Sequence, residues 1–405
     1  MKISSEKKAE LLRKLDEFFA RTDKASSSDT KVFRRLYGQF LSETRYIDWN
    51  SWKFISKDVQ RNYHDLPTLE KDRNDILRRL VIVKLNGGLG TTMSCEGPKS
   101  FIKVKGELSK YVKAFNESHK SNVPLVLMNS FYTDDQTTQK LGQNSGVLTF
   151  CQSKCPRICA DTFLPIEEEN GDMQAWYPPG HGDIFQSLAV SGLLDELLEK
   201  GRDIMFVSNI DNSGATLDLK IAQFACDEAV EYIMECTAKT ENDIKGGTLI
   251  DIAGQLMHLE IPQVPPERLD EFCSTRTFKI FNTNNIWVNL KAVKERLETI
   301  SSEIIVNKKV VSNRAIIQLE TSIGVHVDRA RFLPVKTTDD LLAISSDLYS
   351  IGADRSLQLT SARSAPTIKL GKFFQTGDVE IINNSGKQQV LISRTLIDNQ
   401  RIIFD

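Results

Sequence analysis

"VIVKLNGGLGTTMSCEGPKS" (residues 81–100) opens as a buried strand, turns glycine-rich and closes on a lysine followed by a serine. That order is how several phosphate-holding loops begin, and three such readings can be weighed. A P-loop has four residues between its first glycine and a Gly-Lys pair. Here six residues separate Gly90 from Gly97, and Pro98 stands between Gly97 and Lys99. Pro98 also lacks the amide hydrogen that a phosphate cradle uses. The dinucleotide fingerprint G-x-G-x-x-G fails as well, because Gly87, Gly88 and Gly90 have the wrong spacing. What remains is a strand leading into a loop whose backbone can approach a ligand closely, with a lysine further on. The same residues would also make a tight strand-to-helix turn with a surface lysine.

Outward from this stretch, further short apolar runs alternate with helical patterns: "VPLVLM", "DIMFVSNI", "EYIMEC" and "NIWVNL". Such alternation predicts an α/β fold with a mostly parallel sheet, covered by helices and binding ligands beyond the carboxyl ends of its strands. Polar residues do follow the runs: Asn86 after the first, Asn129 and Ser130 after the second, Asn209 and Asp211 after the third. The first 45 or so residues repeat apolar positions at helical spacing (Leu11, Leu12, Leu15, Phe18, then Phe33, Leu36, Phe40), a stripe that serves core packing. From about residue 346, short β-like runs broken by Gly and Asn take over.

Composition narrows the class. The chain of 405 residues is long enough for two or three domains. Its 52 basic and 54 acidic residues nearly cancel, so no footprint for nucleic acid or an anionic membrane is present. No apolar run approaches the roughly 20 residues that cross a bilayer, and the charged N-terminus has no signal-peptide core. A cytoplasmic protein is expected. Seven cysteines, an odd number in a long chain, fit a reducing compartment. Cys151, Cys155 and Cys159 are read as structural rather than metal-binding, since Pro156 interrupts them and no histidine lies nearby.

Taken in order, "KLNGGLGTTMSCEGPKS", "PLVLMNSFYTDD", "CQSKCPRI", "WYPPGHGDIFQSL", "SNIDNSGAT", "DIKGGTLI", "LEIPQVP", "FNTNNIWV", "QLET" and "RFLPVKTTDDLL" resemble the eukaryotic-type UTP–glucose-1-phosphate uridylyltransferases, or UDP-glucose pyrophosphorylases. The matches run from about residue 81 to 348. The resemblance implies a Rossmann-like nucleotidyltransferase core with a mixed, mostly parallel sheet. It also implies N-terminal helices (1–45), a catalytic domain (46–345) and a short C-terminal β-helix-like domain (346–405). Only 63 residues follow Leu342 (405 − 342), so a truncated left-handed β-helix is expected, and a monomer or weak homo-oligomer with it.

The implied reaction joins UTP and glucose 1-phosphate with magnesium as cofactor, releasing pyrophosphate. Both reactants are anions, so alignment and charge neutralisation matter more than proton transfer. Three lysines in the matched segments, Lys99, Lys245 and Lys336, could converge on phosphates as point charges. By resemblance Lys99 and Lys336 touch the phosphates, with Lys336 stabilising the transition state, and Asp211 is the magnesium ligand. Leu85, Asn86, Gly87, Gly88, Gln152 and Gly180 would bind the UTP, with the backbone of Leu85 and Gly87 and the side chain of Gln152 reading the uracil edge. His181, Asn209, Gly247, Asn282 and Asn284 would meet the sugar phosphate. On residues alone, "FNTNN" reads as a polar turn before the strand "IWVNL". Ser94 and Glu96 depart from the family's loop, and Glu96 adds a negative charge near the triphosphate. Two other functions fit the same residues: the same chemistry on galactose or N-acetylhexosamine 1-phosphate, or a catalytically silent UTP-binding regulatory relative.

Overall fold

The computed structural model describes residues 3–42, 46–57, 60–70, 74–89, 97–101, 108–142, 145–167, 173–227, 230–240, 243, 246–298, 303–311, 314–322, 335, 340–341, 344, 349–352, 357–359, 380–383 and 401–404. Its helices used below are α1 (Ser5–Arg21), α2 (Ser27–Phe40), α3 (Asn74–Arg79), α4 (Leu108–His119), α5 (Asp134–Leu141), α6 (Ile184–Val190), α7 (Leu193–Glu199) and α8 (Leu219–Asp227). Its strands are β1 (Leu80–Leu85), β2 (Leu125–Asn129), β3 (Leu148–Cys151), β4 (Ile204–Asn209), β5 (Tyr232–Ala238), β6 (Thr248–Ile252), β7 (Gln255–Leu259), β8 (Ile280–Asn289), β9 (Glu303–Val311) and β10 (Arg314–Ser322).

Six of the strands form the central sheet in the order β3-β2-β1-β4-β8-β5. Strands β3, β2, β1 and β4 pair in parallel, and only β8 runs against its two neighbours. The sheet is therefore mixed and mostly parallel, as expected. Its strands are apolar because both faces are covered. Val81 and Val83 of β1, with Met205 and Val207 of β4, enter the core shared with α6 and α7. The alternate residues Leu80, Ile82, Ile204 and Phe206 enter the opposite core, shared with α3, α4 and α8. A period of two thus splits each strand between two hydrophobic layers.

Strand order reverses direction at β1: the chain moves from β1 outward to β2 and β3, then returns to β4 on the other side. The crevice beyond the carboxyl ends of β1, β2 and β4 is the place where such a sheet binds ligands.

Two hairpins complete the frame. β6 and β7 turn through Ala253 and Gly254, both with positive φ (55° and 82°), and pair Leu249 with His258. β9 and β10 form a long hairpin that packs with α1 and α2, through Val306, Ile317 and Leu319 against Leu11, Leu15, Phe33 and Tyr37. At the start of α2, Ser26 and Asp29 form a capping box, and Asp29 Oδ1 also accepts the backbone N–H of Lys154 at 2.7 Å. The N-terminal helices thereby hold the strap just after Gln152.

In the C-terminal stretch, Glu380–Asn383 pairs in parallel with Arg401–Phe404. Other runs read there from sequence, such as "PTIKLGKFF", lie outside the described residues.

Candidate active site

The base-reading side of the crevice is built from β1, β2 and the segment after β3. Asn86 is fully buried, and its Nδ2 donates to Asn129 Oδ1 (2.8 Å) and Thr137 Oγ1 (3.0 Å). Its amide thus ties the end of β1 to β2 and α5. Asn86 Oδ1 has no hydrogen-bond partner among the described residues. Ser130 Oγ donates to the Gly87 carbonyl at 2.7 Å. A Cβ at Gly87 would sit 2.1 Å from Gln152 Nε2, so the glycine leaves the room in which that amide lies against the backbone. Gln152 Oε1 in turn accepts the N–H of Gly180 at 3.0 Å, and Gly180 has φ +92°. Gly87, Gln152 and Gly180 therefore meet, at the end of the strand that Leu85 closes. Gly88 faces open space. An isolated bridge between Leu89 and Pro98 closes the base of the glycine loop and delivers Lys99. Ser94 and Glu96 lie outside the described residues.

On the phosphate side, Lys99 Nζ pairs with Asp211 Oδ2 at 2.8 Å across 112 positions of chain, and both side chains are mostly buried. Asp211 Oδ1 is buried with no hydrogen-bond partner among the described residues. A hard, anionic oxygen with spare coordination is the donor that Mg²⁺ takes, and magnesium is content with one protein carboxylate because it keeps several waters. Among the described residues no cluster of three or more His, Cys, Asp or Glu could hold a metal, the cysteine group included. The backbone N–H of Val335 donates to the Asp211 carbonyl at 2.7 Å. Lys336 and Lys245 themselves lie outside the described residues.

Polar anchors that sequence reasoning passed over fix the Asp211 loop. Gly214 N–H donates to Asn212 Oδ1, Asn212 Nδ2 to Asn285 Oδ1, and Asn285 Nδ2 to the buried Glu235 Oε2 (3.1, 3.0 and 3.1 Å). Trp287 Nε1 donates to the other carboxylate oxygen at 2.8 Å. Beneath them, Lys84 is buried within β1 and donates to Ser208 Oγ (2.6 Å) and the Ala215 carbonyl (2.9 Å).

The sugar side corrects one reading of the sequence. "FNTNN" is not a turn before a strand but part of the strand: β8 is ten residues long and carries a bulge between Asn282 and Asn285. Within the bulge Asn284 adopts φ +59°, a conformation that Asn tolerates better than most residues. Its N–H donates to Asn282 Oδ1 (2.7 Å) and its Nδ2 to Asn209 Oδ1 (2.8 Å). Asn282 N–H donates to the Gly247 carbonyl at 3.0 Å, so the four predicted residues form one connected group.

Two unforeseen residues adjoin it. A Cβ at Gly247 would fall 2.3 Å from His258 Nε2 and 2.6 Å from Glu260 Oε1. His181 sits nearby on the "PPGHGD" turn, its Nε2 enclosed without a partner among the described residues. Burial pushes the His181 pKa down to about 4, and burial together with His181 pushes His258 to about 3. Both rings are neutral near pH 7. Asp183, buried two residues after His181, accepts from Ser153 N–H (2.7 Å) and from Ser187 Oγ, and its pKa is raised, burial outweighing these bonds.

Comparison with known proteins places the whole chain. A family model described as UTP–glucose-1-phosphate uridylyltransferase matches residues 30–384. The relative of that name from Solanum tuberosum is 41% identical, with 98% of this chain and 89% of that protein covered. The one from Saccharomyces cerevisiae is 42% identical over 92% of this chain and 78% of its own length. Among solved structures, a mutant UDP-glucose pyrophosphorylase from Leishmania major in complex with UDP-glucose superposes with a TM-score of 0.79 at 26% identity, covering 97% of this chain and 99% of that one. A UDP-glucose phosphorylase from Trypanosoma brucei gives 0.75 at 29% identity, covering 97% and 100%.

Proposed function

The chain belongs to the UTP–glucose-1-phosphate uridylyltransferase family, and from that premise we propose how its own residues carry out the reaction. The enzyme transfers uridylyl from UTP to glucose 1-phosphate, giving UDP-glucose and pyrophosphate. A phosphate oxygen of the sugar 1-phosphate attacks the α-phosphorus in line, and pyrophosphate leaves with its electron pair. No side chain is a nucleophile in this scheme, so the protein's work is alignment and neutralisation.

The observation that carries the assignment of roles is the meeting of Lys99 and Asp211, 2.8 Å apart beyond the ends of β1 and β4. Before substrate arrives the two charges neutralise each other. With UTP bound, Lys99 is freed to meet the triphosphate, and the Asp211 carboxylate would be available to a cation. Asp211 would hold magnesium, which when bound would supply Lewis-acid assistance and a template for the phosphates. Lys336 and Lys245 add positive charge from two other segments, with Lys336 assigned to the transition state.

Gln152, held by Gly180 and pressed against Gly87, presents an amide to the uracil edge, with the backbone of Leu85 and Gly87 beside it. Leaving such groups unpaired is what rejects the wrong base. Asn86 and Gly88 complete the loop. His181, neutral at working pH, offers a hydrogen bond to the sugar phosphate rather than a proton. Asn209, Gly247, Asn282 and Asn284 receive the hexose hydroxyls. We assign the three-part organisation 1–45, 46–345 and 346–405, the last a short left-handed β-helix, and a cytoplasmic monomer or weak homo-oligomer. No described helix is long and apolar enough to cross a membrane.

The test is pyrophosphate release by the purified protein given UTP, magnesium and a panel of sugar 1-phosphates, with Lys99→Ala and Lys336→Ala alongside. Release with glucose 1-phosphate that collapses in both variants supports the roles. Release unchanged in either variant removes that lysine from the mechanism, and a preference for another sugar changes the substrate.

A further inference from the structure

The hydrogen bonds around the β8 bulge have a fixed direction. The backbone N–H of Asn284 can only donate, so the Asn282 atom that it meets at 2.7 Å is the amide oxygen. The other end of that amide is then the NH₂ group, and it faces His258 Nε2 at 3.1 Å. A donor meeting a ring nitrogen requires that nitrogen to be a lone-pair acceptor, which puts the proton of the neutral ring on Nδ1. His258 cannot reverse the arrangement, because rotating the Asn282 amide would set its NH₂ against the Asn284 N–H. Glu260 Oε1 is 3.5 Å from the same Nε2 and, being an acceptor itself, makes no hydrogen bond to it in this tautomer.

The site around this nitrogen is tight. His258 is nearly fully buried, opposite Leu249 in the β6–β7 hairpin. The space where a Cβ of residue 247 would stand is bounded by His258 Nε2 and Glu260 Oε1, so Gly247, Asn282 and Glu260 all adjoin the ring.

We propose that His258 is a positioning residue for the hexose subsite: its acceptor nitrogen holds the Asn282 amide in the orientation that the Asn284 N–H dictates and, through it, steadies the Asn284 that reaches Asn209. Selection among sugar 1-phosphates then runs through a buried histidine on a neighbouring hairpin. The inference rests on the reading of Asn209, Asn282 and Asn284 as the hexose partners. Nucleotide binding, built from β1, β2 and Gln152 on the other side of the crevice, does not depend on it.

The experiment compares wild type with His258→Leu, which keeps bulk without an acceptor, His258→Asn, whose amide is too short to reach Asn282, and His258→Gln, whose oxygen reaches the Nε2 position. Loss of one orienting buried hydrogen bond is expected to raise the KM for glucose 1-phosphate about tenfold in the Leu and Asn variants, with the KM for UTP changed less than about twofold. Their preference for glucose over galactose 1-phosphate narrows by a similar factor, and His258→Gln stays near wild type. A glucose 1-phosphate KM that is normal in His258→Asn, or that rises equally in His258→Gln, overturns the proposal. If wild-type protein fails to release pyrophosphate with any of the sugar 1-phosphates, the failure lies in the activity itself and appears before any variant is made.

Discussion

Substituting Glu235 by glutamine tests whether the Asp211 loop is held from beneath. The chain from Gly214 N–H through Asn212 and Asn285 to Glu235 has one permitted polarity, because both of its ends are obligatory donors: a backbone N–H at Gly214 and the indole N–H of Trp287. Between them Glu235 must accept twice, which a carboxylate does and an amide does not. In Glu235→Gln the new NH₂ must face either Asn285 Nδ2 or Trp287 Nε1. Flipping Asn285 passes the conflict to Asn212, and flipping Asn212 passes it to Gly214, where it stops. One pair of buried donors is left facing each other at a site with no solvent exposure, which costs about 2 kcal/mol and lowers the Tm by about 2–4 °C in a chain of this size. Because the conflict ends on the loop that carries Asp211, kcat/KM should fall roughly tenfold as well. Adding Asn285→Asp moves the acceptor one step along: the carboxylate introduced there would accept from Asn212 and from the new glutamine, whose oxygen keeps Trp287. The measurement is a double-mutant cycle read by thermal melts and initial rates. Recovery of about half the lost stability or more in the double variant supports the argument. Additive losses would refute it.

Lys99→Ala removes a charge from the proposed phosphate site and leaves the mostly buried Asp211 carboxylate without its partner, so kcat/KM should drop on the order of 10²-fold. Asp211→Asn keeps the shape, and its initial rates should lose their saturable dependence on magnesium; an unchanged magnesium curve would move the ligand elsewhere. Gly246→Ala drives a methyl to within 1.7 Å of the Phe281 ring. Overpacking of this sort costs about 1–3 kcal/mol and should show as a lower Tm in circular dichroism. Folded-state pKa values of about 4 for His181 and about 3 for His258 lie below the ordinary 6.5. The unfolded chain therefore binds protons first, and stability is lost as pH falls from about 6.5, by up to ~1.4 kcal/mol per pH unit for each group, with no contribution from either above that. Urea midpoints from pH 7 to 4 should decline less steeply in His258→Leu, and equal slopes would contradict the burial of this ring.

How much of this was legible depended on whether a residue's neighbours were local. Strand–helix alternation placed Asn86, Gly87, Asn209 and Asp211 at carboxyl ends of strands, and in a sheet that reverses direction at β1 those ends converge automatically. The bulge in β8 was not legible, since asparagines on either side of a threonine carry the composition of a turn, and only pairing with β5 on one side keeps them in the sheet. Lys84 hid for another reason: a lysine near the end of an apolar run reads as the point where a strand reaches water. Its burial depends on Ser208 and the Ala215 carbonyl, more than a hundred residues away. His258 and Glu260 alternate with Met257 and Leu259 as any hairpin strand does, so nothing in their spacing separates them from a solvated face.

The unsatisfied atoms follow a pattern that packing alone would not produce. Buried polar atoms without partners cost stability, and native folds keep few of them. Nine such side-chain atoms occur among the described residues, and four belong to Asn86, His181, Asp211 and Asn284, residues that the sequence motifs already mark for ligand contact. At each of them another atom, or the residue's own backbone, is held firmly while one atom is left over. Asn86 spends its NH₂ on Asn129 and Thr137, Asn284 spends its own on Asn209, and Asp211 spends one oxygen on Lys99. The anchoring bond fixes direction, and the remaining polar atom is aimed at no cost in reorganisation when a partner arrives. Loss of the anchor should therefore harm binding nearly as much as loss of the free atom, which is why the asparagine partners, and not only the lysines, set how well this site can work.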